Sequence, residues 1–189
     1  MRLIPIFALS SLAAAPLSGG AASASIPSCP APFARLLGDE VFRDYAVRLT
    51  LNSFRVVQPD VSSGRARRYR TAIREGAAQG PNFADHYTII RIGCGAATLC
   101  IAIADATTGH VYFPQALASA EALIVDTGRM EVDTLNFRRD SRLLIVVGSP
   151  NERTRRAGIS TYIWRSGRLN LVRFTPAAEL CGLQASTRF

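Results

Sequence analysis

The sequence predicts a mainly β, α+β domain: an antiparallel β-meander, barrel-like or propeller-blade-like in its curl, with one amphipathic helix packed on it. Three observations carry this. From residue 86 onward, short runs rich in β-branched residues are separated by turn-forming Gly, Asp, Asn and Ser. Only one stretch, 62–77, repeats apolar residues at helical spacing. With 48% apolar and 19% charged residues over 189 positions, the chain is no disordered polymer, and it has the length of one core rather than two.

The first element is a leader. Met1-Arg2 carries one positive charge, residues 3–17 carry none, and Ala22-Ser23-Ala24 is the small-x-small triplet that signal peptidase admits. Cleavage is expected after Ala24, which makes 1–24 a Sec-type signal peptide and 25–189 a single disulfide-containing domain. The uncharged stretch is broken by Pro5 and Pro16 and is shorter than the roughly 20 apolar residues a bilayer needs. No later run is long enough either. A lipoprotein anchored through Cys29 is a minor alternative, on the faint lipobox Ile26-Pro27-Ser28-Cys29. An exported chain is periplasmic or secreted.

Three prolines make 25–32 an extended lead-in, and 33–44 has room for a short helix. Residues 45–57 alternate, with Val47, Leu49 and Leu51 against Arg48, Thr50 and Asn52, which predicts a strand with one wet face. Ser62 is placed to cap the helix that follows. Ala66, Tyr69, Ile73 and Ala77 form its apolar stripe, Arg65, Arg67, Arg68, Arg70 and Arg74 its other faces, and Gly76 with Gly80-Pro81 its stop. Residues 86–92 and 99–104 read as a hairpin, 105–109 as a turn and 110–113 as a third strand. Residues 114–122 fit a short helix or a loop. Residues 131–137 alternate imperfectly, and 143–147 is a continuous apolar run, the pattern of a central strand. A polar loop to Gly158 and a hairpin, 159–164 with 169–174, close the domain.

Four cysteines in an exported domain suggest two disulfides, and Cys94–Cys100 plus Cys29–Cys181 is the favoured pairing of three. A zinc site lacks any Cys-x-x-Cys pair, and the two histidines are far apart in sequence, so no metal and no cofactor are expected.

Gly80-Pro81-Asn82-Phe83-Ala84-Asp85-His86-Tyr87 is followed by Gly93-Cys94-Gly95, Cys100 and the turn Asp105-x-x-Thr108-Gly109-x-Val111. This resembles the signature of an uncharacterised family of small exported bacterial proteins. The resemblance covers 79–113, more loosely 135–172, and implies export and fold but no reaction.

Asp85-His86 is the strongest acid–imidazole pair, with His86 a candidate general base for a small hydrolase. Adjacent strand residues point to opposite faces, so the competing reading has His86 opening a strand and bonding a turn carbonyl. Asn82 is expected to fix the helix-to-strand corner. Gly93 and Gly95 around Cys94 lack the following helix that a phosphate-binding loop uses. Of the 22 arginines, which stand against 14 carboxylates, many cluster at 65–74, 138–142 and 153–156. The absence of lysine reads as codon bias. The clusters are either solvated faces paired with Asp133, Asp140 and Glu152, or a grip on an acidic partner. Export argues against nucleic acid. The function expected is a binding, accessory or inhibitor module for an envelope protein or anionic envelope component, contacted through Arg65, Arg67, Arg68, Arg70 and Arg74. The alternatives are the hydrolase and a structural envelope component.

Overall fold

The computed structural model describes residues 30–50, 55–123 and 132–182. The expected leader and Cys29 lie outside them, as does the side chain of Cys181, and with them the expected Cys29–Cys181 bridge.

Two short helices, α1 (Pro30–Leu36) and α2 (Asp39–Arg43), precede a segment outside helix and strand, 46–50. Two more, α3 (Gly64–Arg68) and α4 (Arg70–Ala78), lead into the sheet. Its strands are β1 (Tyr87–Gly95), β2 (Thr98–Asp105), β3 (Val111–Tyr112), β4 (Ser119–Ala122), β5 (Leu135–Phe137), β6 (Leu143–Pro150), β7 (Gly158–Arg165) and β8 (Arg168–Pro176). Helix α5 (Ala177–Gly182) follows. Every pairing is antiparallel, in the order β1-β2-β4-β6-β7-β8, with β3 also on β2 and β5 also on β6.

Period-two alternation sorts the apolar side chains onto two faces. One face, with Ile89, Ile101, Ile103, Leu144, Val146, Tyr162 and Trp164, wraps around Phe83 and Leu117 as the main core. The opposite face is covered twice. α3 and α4 lie over Ile90, Ile92, Ala102 and Ala104, while Phe33, Phe42 and Leu180 lie over Leu143, Ile145, Val147, Ile159 and Ile163. β6 is therefore buried at every position, which is why its sequence reads as an unbroken apolar run. The backbone ladder stays open, but side chains bridge its gaps. Arg91 of β1 donates from Nη2 to the Leu135 carbonyl of β5 at 2.9 Å, and a Cβ on Gly167, before β8, would lie 2.6 Å from the Tyr112 ring of β3. The curl is barrel-like without closing as a barrel or repeating as propeller blades.

Several expectations change. Residues 45–50 join no ladder; they are held by the bridge Ala46↔Ser141, by the Val47 amide to Asp140 O and the Arg142 amide to Tyr45 O, and by Thr50 bonds to Asp85. Both edges of β6 are already taken by β4, β5 and β7, and alternation requires only an extended chain on a surface. The single helix over 62–77 is two, interrupted at Tyr69 (φ −105°, ψ 22°). Closely spaced arginines repel at i,i+3 and i,i+4, and Arg65 and Arg68 instead stack over the Tyr69 ring. Ser62 does not cap it: its hydroxyl bonds Asp60 at 2.6 Å, and Ser63 occupies the cap position. Gly76 does not stop it, but lies inside α4 where a Cβ would come 2.8 Å from Ile90. β4 occupies part of the stretch read as helix or loop, β6 runs on to Pro150, and α5 is an addition.

Candidate functional site at the mouth of the curled sheet

Cys94 and Cys100 form a disulfide across the β1–β2 hairpin with Cα atoms 5.6 Å apart, Cys94 sitting in the register shift between Gly93 and Gly95. That end of the sheet is stapled. The other end is where the ring systems gather: Tyr87, Tyr112 and Trp164 meet edge to face at 5.2–6.4 Å, with His86 against Tyr87 and His110 against Tyr112 at 4.3 Å each.

The segment before β1 builds the site. Asn82 acts as a substitute strand, its amide accepting from the Ile89 N–H at 2.8 Å and donating to the Ile89 carbonyl at 3.2 Å. The chain then passes through two left-handed residues, Ala84 (φ 44°) and Asp85 (φ 73°), a conformation that costs a non-glycine residue free energy and is held by its surroundings. Those surroundings are the 139–142 turn: the Asp85 amide donates to Arg139 O at 2.7 Å, Arg139 Nε donates to Asp85 O at 3.0 Å, and the Ala84 amide donates to Ser141 O. Because Asp85 lies in this turn and β1 begins only at Tyr87, the opposite-face rule does not apply. The Asp85 carboxylate reaches His86 Nδ1 at 3.4 Å.

Asp85, 7% exposed, accepts from the Thr50 amide at 2.7 Å and the Thr50 hydroxyl at 2.5 Å. Burial raises its pKa, but the Thr50 bonds and His86 outweigh that and hold the carboxyl below its ordinary value. On the other side of the ring, His86 Nε2 lies 3.9 Å from Asp105. Burial also raises Asp105, whose carboxyl is nevertheless held low by bonds from Thr107 and Thr108 and by His86. Burial pushes the Tyr87 phenol up. The two halves of the Gly80–Val111 signature thus converge on one imidazole between two carboxylates.

No protein-family model, curated protein or solved structure matches this chain. The site is therefore interpreted from its own chemistry.

Beside His86 opens a cleft of about 440 Å³, lined by Arg48, Arg142 and Arg165 as well as Tyr87, Trp164 and Ser166. All three arginines are exposed, and no carboxylate pairs with them among the described residues, whose ion pairs join other groups. Among the described residues there is also no cluster of three metal-ligating side chains, and no helix long and apolar enough to cross a membrane.

Of the residues singled out from sequence, the fold brings Asp85, His86 and Arg142 of the 138–142 cluster to this cleft. Asn82 lies at the helix-to-strand corner, and Gly93, Cys94, Gly95 and Cys100 lie at the opposite end. Arg65, Arg67, Arg68, Arg70 and Arg74 are exposed on α3 and α4. The intramolecular pairs also differ from expectation: Asp133 faces Arg91 at 3.5 Å, Arg138 pairs with Asp39, and Glu152 accepts from Ser119. Sequence reading missed Thr50, Arg48, Arg165, Ser166 and Trp164. The available signal was positional, since Arg142 and Arg165 each sit where an apolar strand meets a turn.

Proposed function

We propose that this protein is an exported, periplasmic or secreted, binding module that holds an anionic envelope component in the cleft at the mouth of its sheet. One observation carries the reading: three exposed arginines, without ion-pair partners among the described residues, surround a concave site backed by aromatic side chains. Such guanidinium forks recognise carboxylate or phosphate bidentately, and mouths of curled sheets are common ligand sites. This moves the expected contact from Arg65–Arg74 to Arg48, Arg142 and Arg165. Isothermal titration of the purified protein with galacturonate, glucose 1-phosphate and inorganic phosphate tests it. At least one should bind, more weakly at higher salt, and the Arg48→Gln/Arg142→Gln variant should lose tenfold or more in affinity. Equal affinity in that variant refutes the assignment.

The Asp85–His86 contact favours a second reading, a hydrolase in which Asp85 orients His86 as general base. Ser166, the aliphatic hydroxyl among the cleft residues, is its candidate nucleophile. Turnover of an ester of the bound anion, abolished in both His86→Ala and Ser166→Ala, would establish it; binding without turnover leaves the binding module.

A further inference from the structure

The β7–β8 turn, 165–168, has a cleft on each side. The first holds Arg165 and Ser166; the second, of about 500 Å³, is formed by Gly167, Arg168, Leu169 and Asn170 facing Phe113–Ala116. Tyr112 packs at Gly167 between the two, where a Cβ on the glycine would lie 2.6 Å from its ring. The turn thus divides two neighbouring clefts on one curled sheet.

The second cleft has a different chemistry. Its lining contains one guanidinium (Arg168), two exposed side-chain amides (Gln115, Asn170) and the half-buried Phe113 ring, with no carboxylate. A second guanidinium, that of Arg65, lies over the Phe113 ring at 4.8 Å. Neither amide makes a side-chain hydrogen bond to another described residue, although Asn151, close by, uses both ends of its own amide to hold backbone at Gln115, Ala116, Ala118 and Ser119. An amide presents a donor and an acceptor side by side, which matches the vicinal hydroxyls of a sugar. Arg168 adds a grip for a further acidic group.

Resting on the anion-binding reading above, we infer that the ligand is a linear anionic oligosaccharide that crosses the 165–168 turn. Its acidic group lies among Arg48, Arg142 and Arg165, and neighbouring sugar units lie against Gln115, Asn170 and Arg168. Linked units that occupy two adjoining subsites bind more tightly than one unit, because the second contact is intramolecular.

The test is a length series of oligogalacturonates, from one to six units, titrated into the purified protein. Affinity should rise at least tenfold between the monomer and the tetramer. In the Gln115→Ala/Asn170→Ala variant, and separately in Arg168→Gln, that rise should shrink to about twofold or less. Equal affinity for monomer and tetramer, or a full length effect in both variants, overturns the inference while the single-anion site stands. Equal binding of a neutral oligosaccharide series overturns it too. If no member binds and Arg48→Gln/Arg142→Gln alters the binding of no anion, the first reading falls with it.

Discussion

The two ends of the curled sheet are held by different physics. At the Cys94 end the ties are a disulfide six residues apart, backbone ladders among β2, β4 and β6, and the Asn151 amide, which holds four backbone groups 32–36 residues away. At the His86 end they are long-range and polar. Thr50 reaches Asp85 across 35 residues, Arg139 reaches it across 54, and Ser141, fully buried, donates to the Phe42 carbonyl across 99. Left-handed non-glycine residues occur at both ends: Ala84, Asp85 and Ser166 at this one, Ala97, Asn151 and Glu152 at the other. One end is built for rigidity. The other gathers arginines without carboxylate partners among the described residues around an open cleft, the combination expected of a binding site.

The largest effect expected belongs to the rigid end. Gly148→Ala puts a Cβ 2.1 Å from the Glu121 carbonyl oxygen, where β4 meets β6. Relieving that clash shifts backbone, so a loss of about 3 kcal/mol is expected by urea denaturation. An unchanged midpoint would mean that this end yields more easily than its packing indicates.

Next is Asp85→Asn, which replaces one of the two carboxylate oxygens that accept from Thr50 with an NH2 that cannot accept. A loss of about 2 kcal/mol is expected. The pH dependence gives the sign independently. Asp85 and Asp105 are both held below the ordinary carboxyl pKa when folded. Their contribution is therefore complete above the unfolded value of about 4 and lost as pH falls through the folded values. Melting temperature measured from pH 6 down to pH 2 should fall less steeply in Asp85→Asn than in the parent chain.

Cys94→Ser/Cys100→Ser opens a short loop and should cost about 2 kcal/mol in the chain-entropy estimate. It should leave ligand affinity at the far end within twofold. Coupling between the two, seen as lost binding in the folded double variant, would show that the ends are one mechanical unit.

The smallest effect sharpens the contrast from outside both ends. Charge reversal at Arg67 and Arg70, exposed and without carboxylate partners among the described residues, should change stability by less than about 0.5 kcal/mol. Ligand affinity should stay within threefold at moderate salt. A larger drop would return the binding face to α3 and α4.

The hairpins were legible in the sequence because their signals are local. β1–β2 and β7–β8 each pair β-branched runs across a short turn, with Ala97, Ser166 and Gly167 in the left-handed region. β6 was legible for a related reason, its runs of Leu, Ile and Val recording burial on both faces. The 45–50 segment was misread because alternation signals an extended chain, whether or not a neighbour offers a free edge. The helix break at Tyr69 was missed because the apolar stripe continues across it, and the stripe records what faces the core rather than backbone continuity.

The site itself was half visible. Asp85 and His86 stand next to each other in the sequence, yet their contact depends on the positive φ at Ala84 and Asp85, which the 139–142 turn stabilises from more than 50 residues away. The strand-end positions of Arg142 and Arg165 are legible, but their gathering with Arg48 is not, since periodicity carries no information about which strand ends share a mouth. By itself the sequence determined the β-rich class, the hairpins, the buried central strand and the Cys94–Cys100 pairing, because period, turn chemistry and loop length act over a few residues. Tertiary structure alone decided the order of strands, the break in the helix and the convergence of three arginines on one imidazole. Those depend on which edges and faces remain open once the core has closed.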